Sequence, residues 1–314
     1  MKKVLSVMLA VCLCLSIGTC LGESKTYEVG VVQLVQHVAL DAATQGFIDA
    51  LTEKLGDSVH VTVKNASGDS ANCITIANDF VSANVDLIMA NATPALQACV
   101  GATADIPILG TSITDYATAL ASDDWTGVTG INVSGTSDLA PLDGQAAMLN
   151  ELFPDAKTVG LIYCSAEPNS LYQVTEITKY LEGYGYECKA YAFADSNDVA
   201  SVVTQACECD VLYAPTDNTV ATYGETVANV IVPAGKALIA GEEGICSNCG
   251  VATLTISYYD LGYATGLMAY DVLTGESVIS ETAIQYAPTF TKKYNPEMCE
   301  TLGIVVPEDY TAIE

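Results

Sequence analysis

The stretch "VDLIMANATP", residues 85–94, has a counterpart in "CDVLYAPTDN", residues 209–218. Each runs from an acidic residue through an apolar core into a polar turn and a helix start. An apolar run of this kind reads as a strand covered on both faces, as in a parallel sheet flanked by helices. The neighbouring segments match as well. "GVVQLVQ" from residue 30 lies against "GLIYCSA" from 160, and "IPILGTSITD" from 106 against "KALIAGEEGI" from 236. The offset drifts by only a few residues, so the chain reads as two similar halves.

Within each half, apolar strands alternate with amphipathic helices. "YEVGVVQLV" (27–35) is a strand and "ALDAATQGFIDALTEKLG" (39–56) a helix ending at glycine; "TVGLIYCS" and "NSLYQVTEITKYLEGYG" repeat the pair after residue 150. The expected fold class is α/β, with two doubly wound parallel-sheet domains. With 314 residues, 50% of them hydrophobic, two cores are affordable. The boundary falls in the Gly-, Ser- and Thr-rich "GINVSGTSD" (130–138). The expected first domain is 27–132 plus about 252–275, and the second 133–251 plus about 276–314. Several crossings would form a multi-strand hinge.

The first 22 residues read as a secretion signal: Lys2 and Lys3, an apolar run from Val4 to Ile17 too short to span a bilayer, then small residues. Two exits fit, cleavage after Gly22 or lipid attachment at Cys20 of "IGTC". The mature chain is thus expected outside the cytoplasm, either tethered at the outer face of the membrane or free. The full sequence carries a net charge of −27, which argues against nucleic acid or anionic lipid as partners. All eleven basic residues are lysine.

Nine cysteines follow the signal, an odd number that cannot pair completely within one chain. "CSNC" (246–249) suits a small disulfide, a zinc half-site or a redox pair. Zinc needs further ligands, and His37 and His60 are the only histidines. No metal or cofactor is expected.

In a doubly wound sheet, ligands bind beyond the carboxyl ends of the strands, where loops enter helix starts. In the first half these ends carry Gln33, Gln36 and His37, then Asn91, Thr93 and Pro94, then Ser112, Thr114 and Asp115. In the second they carry Glu167, Asn169 and Ser170, then Thr216, Asp217 and Asn218, then Glu242 and Glu243. Individually, Thr93-Pro94 and Asn169-Ser170 are ordinary helix starts, and Asp115 and Asp217 ordinary turn or cap residues. Their recurrence at every strand end makes two polar rims. In "GLIYCSAEPNS" (160–170) the strand empties into one of these rims.

Taken in order, "GVVQLVQHVALDAATQGFIDAL", "NATPALQA", "SITD", "NVSGTSD", "YCSAEPNS", "PTDNTV" and "YYDLGYATGLMAYDVLTGE" resemble the substrate-binding proteins of ABC importers of the TrpX-like, tryptophan and tyrosine uptake type. The resemblance spans the mature chain. It implies a type I periplasmic-binding-protein fold, a monomer that closes on a small amino acid, usually aromatic, and delivers it to a membrane permease. Val38 departs from the family in place of a proline, and the two cysteines of "GEEGICSNCG" are additional.

A zwitterionic ligand needs donors for its carboxylate and acceptors for its ammonium. Without arginine no guanidinium clamp is available, so hydroxyls and backbone amides at helix starts must serve the carboxylate. Thr93, Thr114, Asn169 and Ser170 suit that role. Asp115, Glu167, Asp217 and Glu242 are candidate ammonium partners, with Gln33 and Asn218 beside them and Leu40, Pro94 and Tyr163 as apolar walls. An enzyme is the rival class. A two-thiol racemase fails because Cys164 has Leu34 as its counterpart, and neither a nucleophile elbow nor a phosphate loop occurs. A sugar, a nucleoside or a branched amino acid remains an alternative cargo on the same fold.

Overall fold

The computed structural model describes residues 25–313; the expected signal and Cys20 lie outside them. Two sheets form, each built around a strand buried on both faces. The first contains β1 (Tyr27–Gln33), β2 (Val59–Asn65), β3 (Leu87–Asn91), β4 (Ile108–Ile113) and β5 (Val133–Ser137). The second contains β6 (Thr158–Cys164), β7 (Glu187–Phe193), β8 (Val211–Ala214), β9 (Leu238–Ala240) and β10 (Ala252–Thr255). The short strands β11 (Gln285–Tyr286), β12 (Thr291–Tyr294) and β13 (Thr311–Ala312) complete them.

The strand orders are β11-β5-β4-β3-β1-β2 and β13-β12-β10-β9-β8-β6-β7. Each sheet therefore repeats one winding, in which the second strand lies outside the first and the third to fifth lie on its other side. All pairings are parallel except β10 with β12. The duplication legible in the sequence is thus a duplication of topology. In both halves the order reverses between the first and third strands, β1/β3 and β6/β8, and there the strand ends open a crevice.

Helices cover both faces. The helix Val38–Leu55 buries Ala39, Leu40, Ala43, Phe47, Ala50 and Leu51, and closes at Gly56. The helix Tyr258–Thr274 begins at Ser257, whose hydroxyl accepts from Asp260 N, and ends at left-handed Gly275. These two helices pack backbone to backbone. A Cβ on Gly262 would fall 1.9 Å from Ala43 O, and one on Gly46 would fall 2.1 Å from Tyr259 O.

The domain limits differ from those expected. β5 pairs with β4, so the first sheet runs to Ser137 rather than stopping at 132. β10 pairs with β9 in the second sheet, and only the helix after it returns to the first domain. β11 then adds to β5, again in the first sheet, before β12 rejoins the second. The chain crosses three times, at 138–141, 256–257 and 287–290. After β8 the chain forms two short helices divided at Tyr223, Asn218–Thr222 and Gly224–Ile231. The short helix Glu243–Cys249 follows β9. All nine described cysteines are free thiols, seven of them buried.

Candidate functional site

The two rims meet across the crevice. His37, just after β1, lies 3.2 Å from Asn218 Oδ1 through its Nε2. Gln173, on the helix Pro168–Gly183, donates from Nε2 to Thr114 Oγ1 at 3.4 Å. Both contacts join residues of different sheets, so the cleft is closed. A cavity of about 270 Å³ remains at its mouth, bordered by Pro94, Glu167 and Asn218 among others.

On the first rim, Gln33 is fully engaged. It donates to Val35 O at 2.9 Å and Asp41 Oδ1 at 2.6 Å, and accepts from Thr44 at 2.7 Å. Asn91 donates to Leu40 O at 2.8 Å and Thr44 Oγ1 at 3.0 Å. Gln33 and Leu40 therefore lock the first helix to the sheet, and Leu40 is a core residue. Thr93 and Pro94 open the helix Thr93–Ala102, which has no side-chain cap. It is preceded by Ala92 at φ 90°, while Ser112 at the end of β4 has φ 56°. Such values are costly for residues with a Cβ and persist where the surroundings over-determine them. The uncapped helix start presents amides and a positive dipole end, which suits an anion.

On the second rim, Glu167 accepts five hydrogen bonds, from the N–H and side chain of both Asn218 and Thr219 and from Asn169 Nδ2. Asp217 accepts from Cys164 N at 2.7 Å and Val220 N at 2.8 Å. Glu242 accepts from the amides of Gly244 and Ile245. Asp115 accepts from Thr118 N at 2.7 Å. All four carboxylates proposed for an ammonium are thus occupied by backbone amides at helix starts. Asn169 donates to Thr216 O at 3.1 Å and to Ser170 Oγ at 3.3 Å. Ser170 is completely buried, and Tyr163 lies in the second-domain core.

Five buried side-chain atoms among the described residues lack a partner: His37 Nδ1, Asn91 Oδ1, Ser112 Oγ, Asn169 Oδ1 and Thr253 Oγ1. The first four stand at strand ends on the rims. An unpartnered buried polar atom costs about 1–3 kcal/mol, so a cluster of them marks where a ligand's polar groups belong.

Three further residues are hydrogen-bonded into the rims without having been singled out by the sequence. Asp138 is buried at the first crossing, where its oxygens accept from Thr114 Oγ1 at 3.1 Å and Tyr258 OH at 2.9 Å. Tyr258 begins the helix after the second crossing. Gln173 donates to Asn169 O and Thr216 O and accepts from Thr216 N. Its signal was available: it stands one turn after Asn169, on the same helix face.

Burial pushes the Asp138 carboxyl up to about 6; the hydroxyls of Tyr258 and Thr114 oppose this and the Glu242 charge adds to it. Burial, then the Glu167 charge, raises Asp217. Burial likewise raises Glu242, against the nearby His37 and the helix amides. A carboxyl whose folded pKa lies above its unfolded value binds protons more readily in the fold. Its favourable contribution is full below the unfolded value and is lost as pH rises through the folded one. The unliganded protein should therefore melt lower at pH 8 than at pH 5, by on the order of 1–2 kcal/mol in stability. Scanning calorimetry across that range checks this, and a melting point that rises with pH contradicts it.

Burial raises the Cys164 pKa, and its Sγ contacts Ala194 O at 3.7 Å.

Comparison with known proteins agrees with this geometry. The family model for ABC transporter substrate binding proteins matches residues 28–313. A tyrosine-binding protein of Clostridioides difficile (strain R20291) is 38% identical over 260 residues, covering 82% of this chain and 75% of that protein. The crystal structure of an ABC domain in complex with L-Trp from Streptococcus pneumonia is 32% identical, with a TM-score of 0.88 over 92% of this chain and 100% of that one. The ligand-free, open structure of a substrate-binding protein with adhesive properties from Clostridium difficile is 33% identical, with a TM-score of 0.70 over 92% and 99%. Identity and coverage are nearly equal for these two structures. Domain arrangement rather than divergence therefore separates their scores, in line with the closed cleft found here. The chain, with its two α/β domains of type I periplasmic-binding-protein fold, belongs to the ABC transporter substrate-binding protein family.

Proposed function

We propose that this protein binds an aromatic amino acid in the interdomain cleft, outside the cytoplasm, and presents it to an ABC permease. The observation that carries this reading is the set of unpartnered buried atoms on both rims, His37 Nδ1, Asn91 Oδ1, Ser112 Oγ and Asn169 Oδ1. Acceptors and donors of that kind match a zwitterion. The uncapped start of the helix Thr93–Ala102, with the hydroxyls of Thr93 and Ser112, supplies the carboxylate side where arginine is absent. A ligand contacting both rims populates the closed form because only that form makes both sets of contacts. The tyrosine-binding relative and the L-Trp-bound neighbour support an aromatic side chain.

Binding without catalysis is the accompanying expectation. The rim thiol Cys164 is buried with a raised pKa, and the family matched is one of substrate-binding proteins. The protein acts as a monomer in this reading, with export directed by its first 22 residues.

The test is a thermal-shift panel of the twenty amino acids, with sugars and nucleosides, on protein refolded free of co-purified ligand. A ligand at about 100 times its Kd adds roughly 2.7 kcal/mol. The expected response is confined to tyrosine, tryptophan or phenylalanine. A response only to a sugar or nucleoside, or none at all, overturns the reading.

A further inference from the structure

We infer that Asp138 is the counter-ion of the ligand's α-ammonium group, so that the cleft requires an amino group as well as an aromatic side chain and a carboxylate. The inference rests on the cleft being an amino-acid site, as proposed above. It follows from elimination among buried carboxylates. Glu167, Asp217 and Glu242 each accept backbone N–H groups at helix starts, which are fixed donors that a ligand cannot displace without unwinding the helix. Asp138 accepts side-chain bonds only from hydroxyls, those of Thr114 and Tyr258. A hydroxyl rotates about its C–O bond and has other acceptors, so an incoming cation can share or replace its bond.

Its surroundings favour the same assignment. Asp138 is 3% exposed and no salt bridge among the described residues engages it. A buried carboxylate without a cation is held partly protonated, and an ammonium ion alongside would restore the charged form. The charged and titratable groups around it are Tyr258, Tyr116 and Glu242, with His37 beside Glu242. None of these supplies a permanent positive charge. Through Thr114, Asp138 is also one bond from Gln173 of the opposite rim. Through Tyr258 it ties the first crossing to the second. An ammonium bound here would sit at the joint of both domains, where its attraction favours closure.

The test compares wild type with Asp138→Asn, using L-tyrosine and L-tryptophan and their des-amino analogues, the corresponding 3-arylpropanoates, by isothermal titration. Loss of a buried charge partner is expected to weaken the amino acid at least about 30-fold. The same substitution should change affinity for the analogue by less than about 3-fold, since it offers no ammonium to pair. Equal losses for both ligands, or an amino-acid affinity within about 3-fold of wild type, overturn the assignment. Should the variant fail to fold, wild type alone decides. The ratio of amino-acid to analogue affinity should fall as pH is lowered from about 7.5 to about 5, where Asp138 takes up its proton and loses the charge. A flat ratio overturns the assignment. Wild type that binds neither amino acid overturns the amino-acid reading beneath it, a result distinct from binding that ignores Asp138.

Discussion

Gly262→Val should lower the stability of the protein by about 3 kcal/mol or more, a fall in melting temperature of roughly 6–12 °C for a chain of this size. The helices Val38–Leu55 and Tyr258–Thr274 approach so closely at this point that even a methyl group would penetrate the backbone of Ala43. Gly46 and Gly266 repeat the close approach, the latter 2.6 Å from Ala50 Cβ for an added Cβ. Tyr259 and Tyr263 then reach across the seam to Asp49 and Glu53 at 2.9 and 2.6 Å. Valine has no rotamer that avoids a clash with backbone, so the helices must separate and expose Ala43, Phe47 and Ala50. The control is Gly101→Ala, at a helical position where an added Cβ meets nothing within 4 Å. That change should be neutral or stabilising by up to about 1 kcal/mol. A melting point for Gly262→Val within about 2 °C of wild type would show that the helices are not packed this tightly.

Glu167→Gln should cost about 2–3 kcal/mol although the two side chains have nearly the same shape. Both carboxylate oxygens of Glu167 face donors only. Oε1 receives the N–H and hydroxyl of Thr219, and Oε2 receives Asn169 Nδ2 and both donors of Asn218. A glutamine must turn its NH₂ towards at least two of these donors in either orientation, and so loses bonds it cannot exchange. The loss loosens the start of the helix Asn218–Thr222 and removes one of the bonds that hold Asn169, so ligand affinity should fall with stability. Urea denaturation of the unliganded variant, followed by titration of the ligand, measures the two effects separately. An unchanged denaturation midpoint would mean that volume alone is needed at this position.

The place of Glu167 also shows how far the rims were legible. Residue type and position put a carboxylate at the end of β6, and the structure keeps it at the cleft. The sequence could not tell whether that carboxylate faces a ligand or a helix start, because its partners Asn218 and Thr219 stand more than 50 residues away. Asp217 and Glu242 bond amides two or three residues ahead, the local cap geometry that their position before a helix start allows, with Cys164 N as a distant second partner of Asp217; Gln33 and Leu40 pack against the first helix and the sheet. Thr93, Thr114, Asn169 and Ser170 fall where the strand-end rule placed them, and the unpartnered Oδ1 of Asn169 is visible only once its neighbours are in position. Asp138 escaped because it ends a stretch that reads as a linker.

What the sequence determined by itself was the alternation of strands and helices, the duplication of that alternation, and the family. Those properties are written in short-range periodicity and in turn and cap residues, each read within a few positions. The tertiary structure alone decided that β5 and β11 extend the first sheet while β10 lies in the second, and hence where the three crossings run. It decided as well which buried carboxylate has hydroxyls as its only side-chain partners. Both are matters of pairing between distant segments. Parallel strand addition and hydrogen bonding at helix starts depend on what is brought alongside, and local sequence does not specify that neighbour.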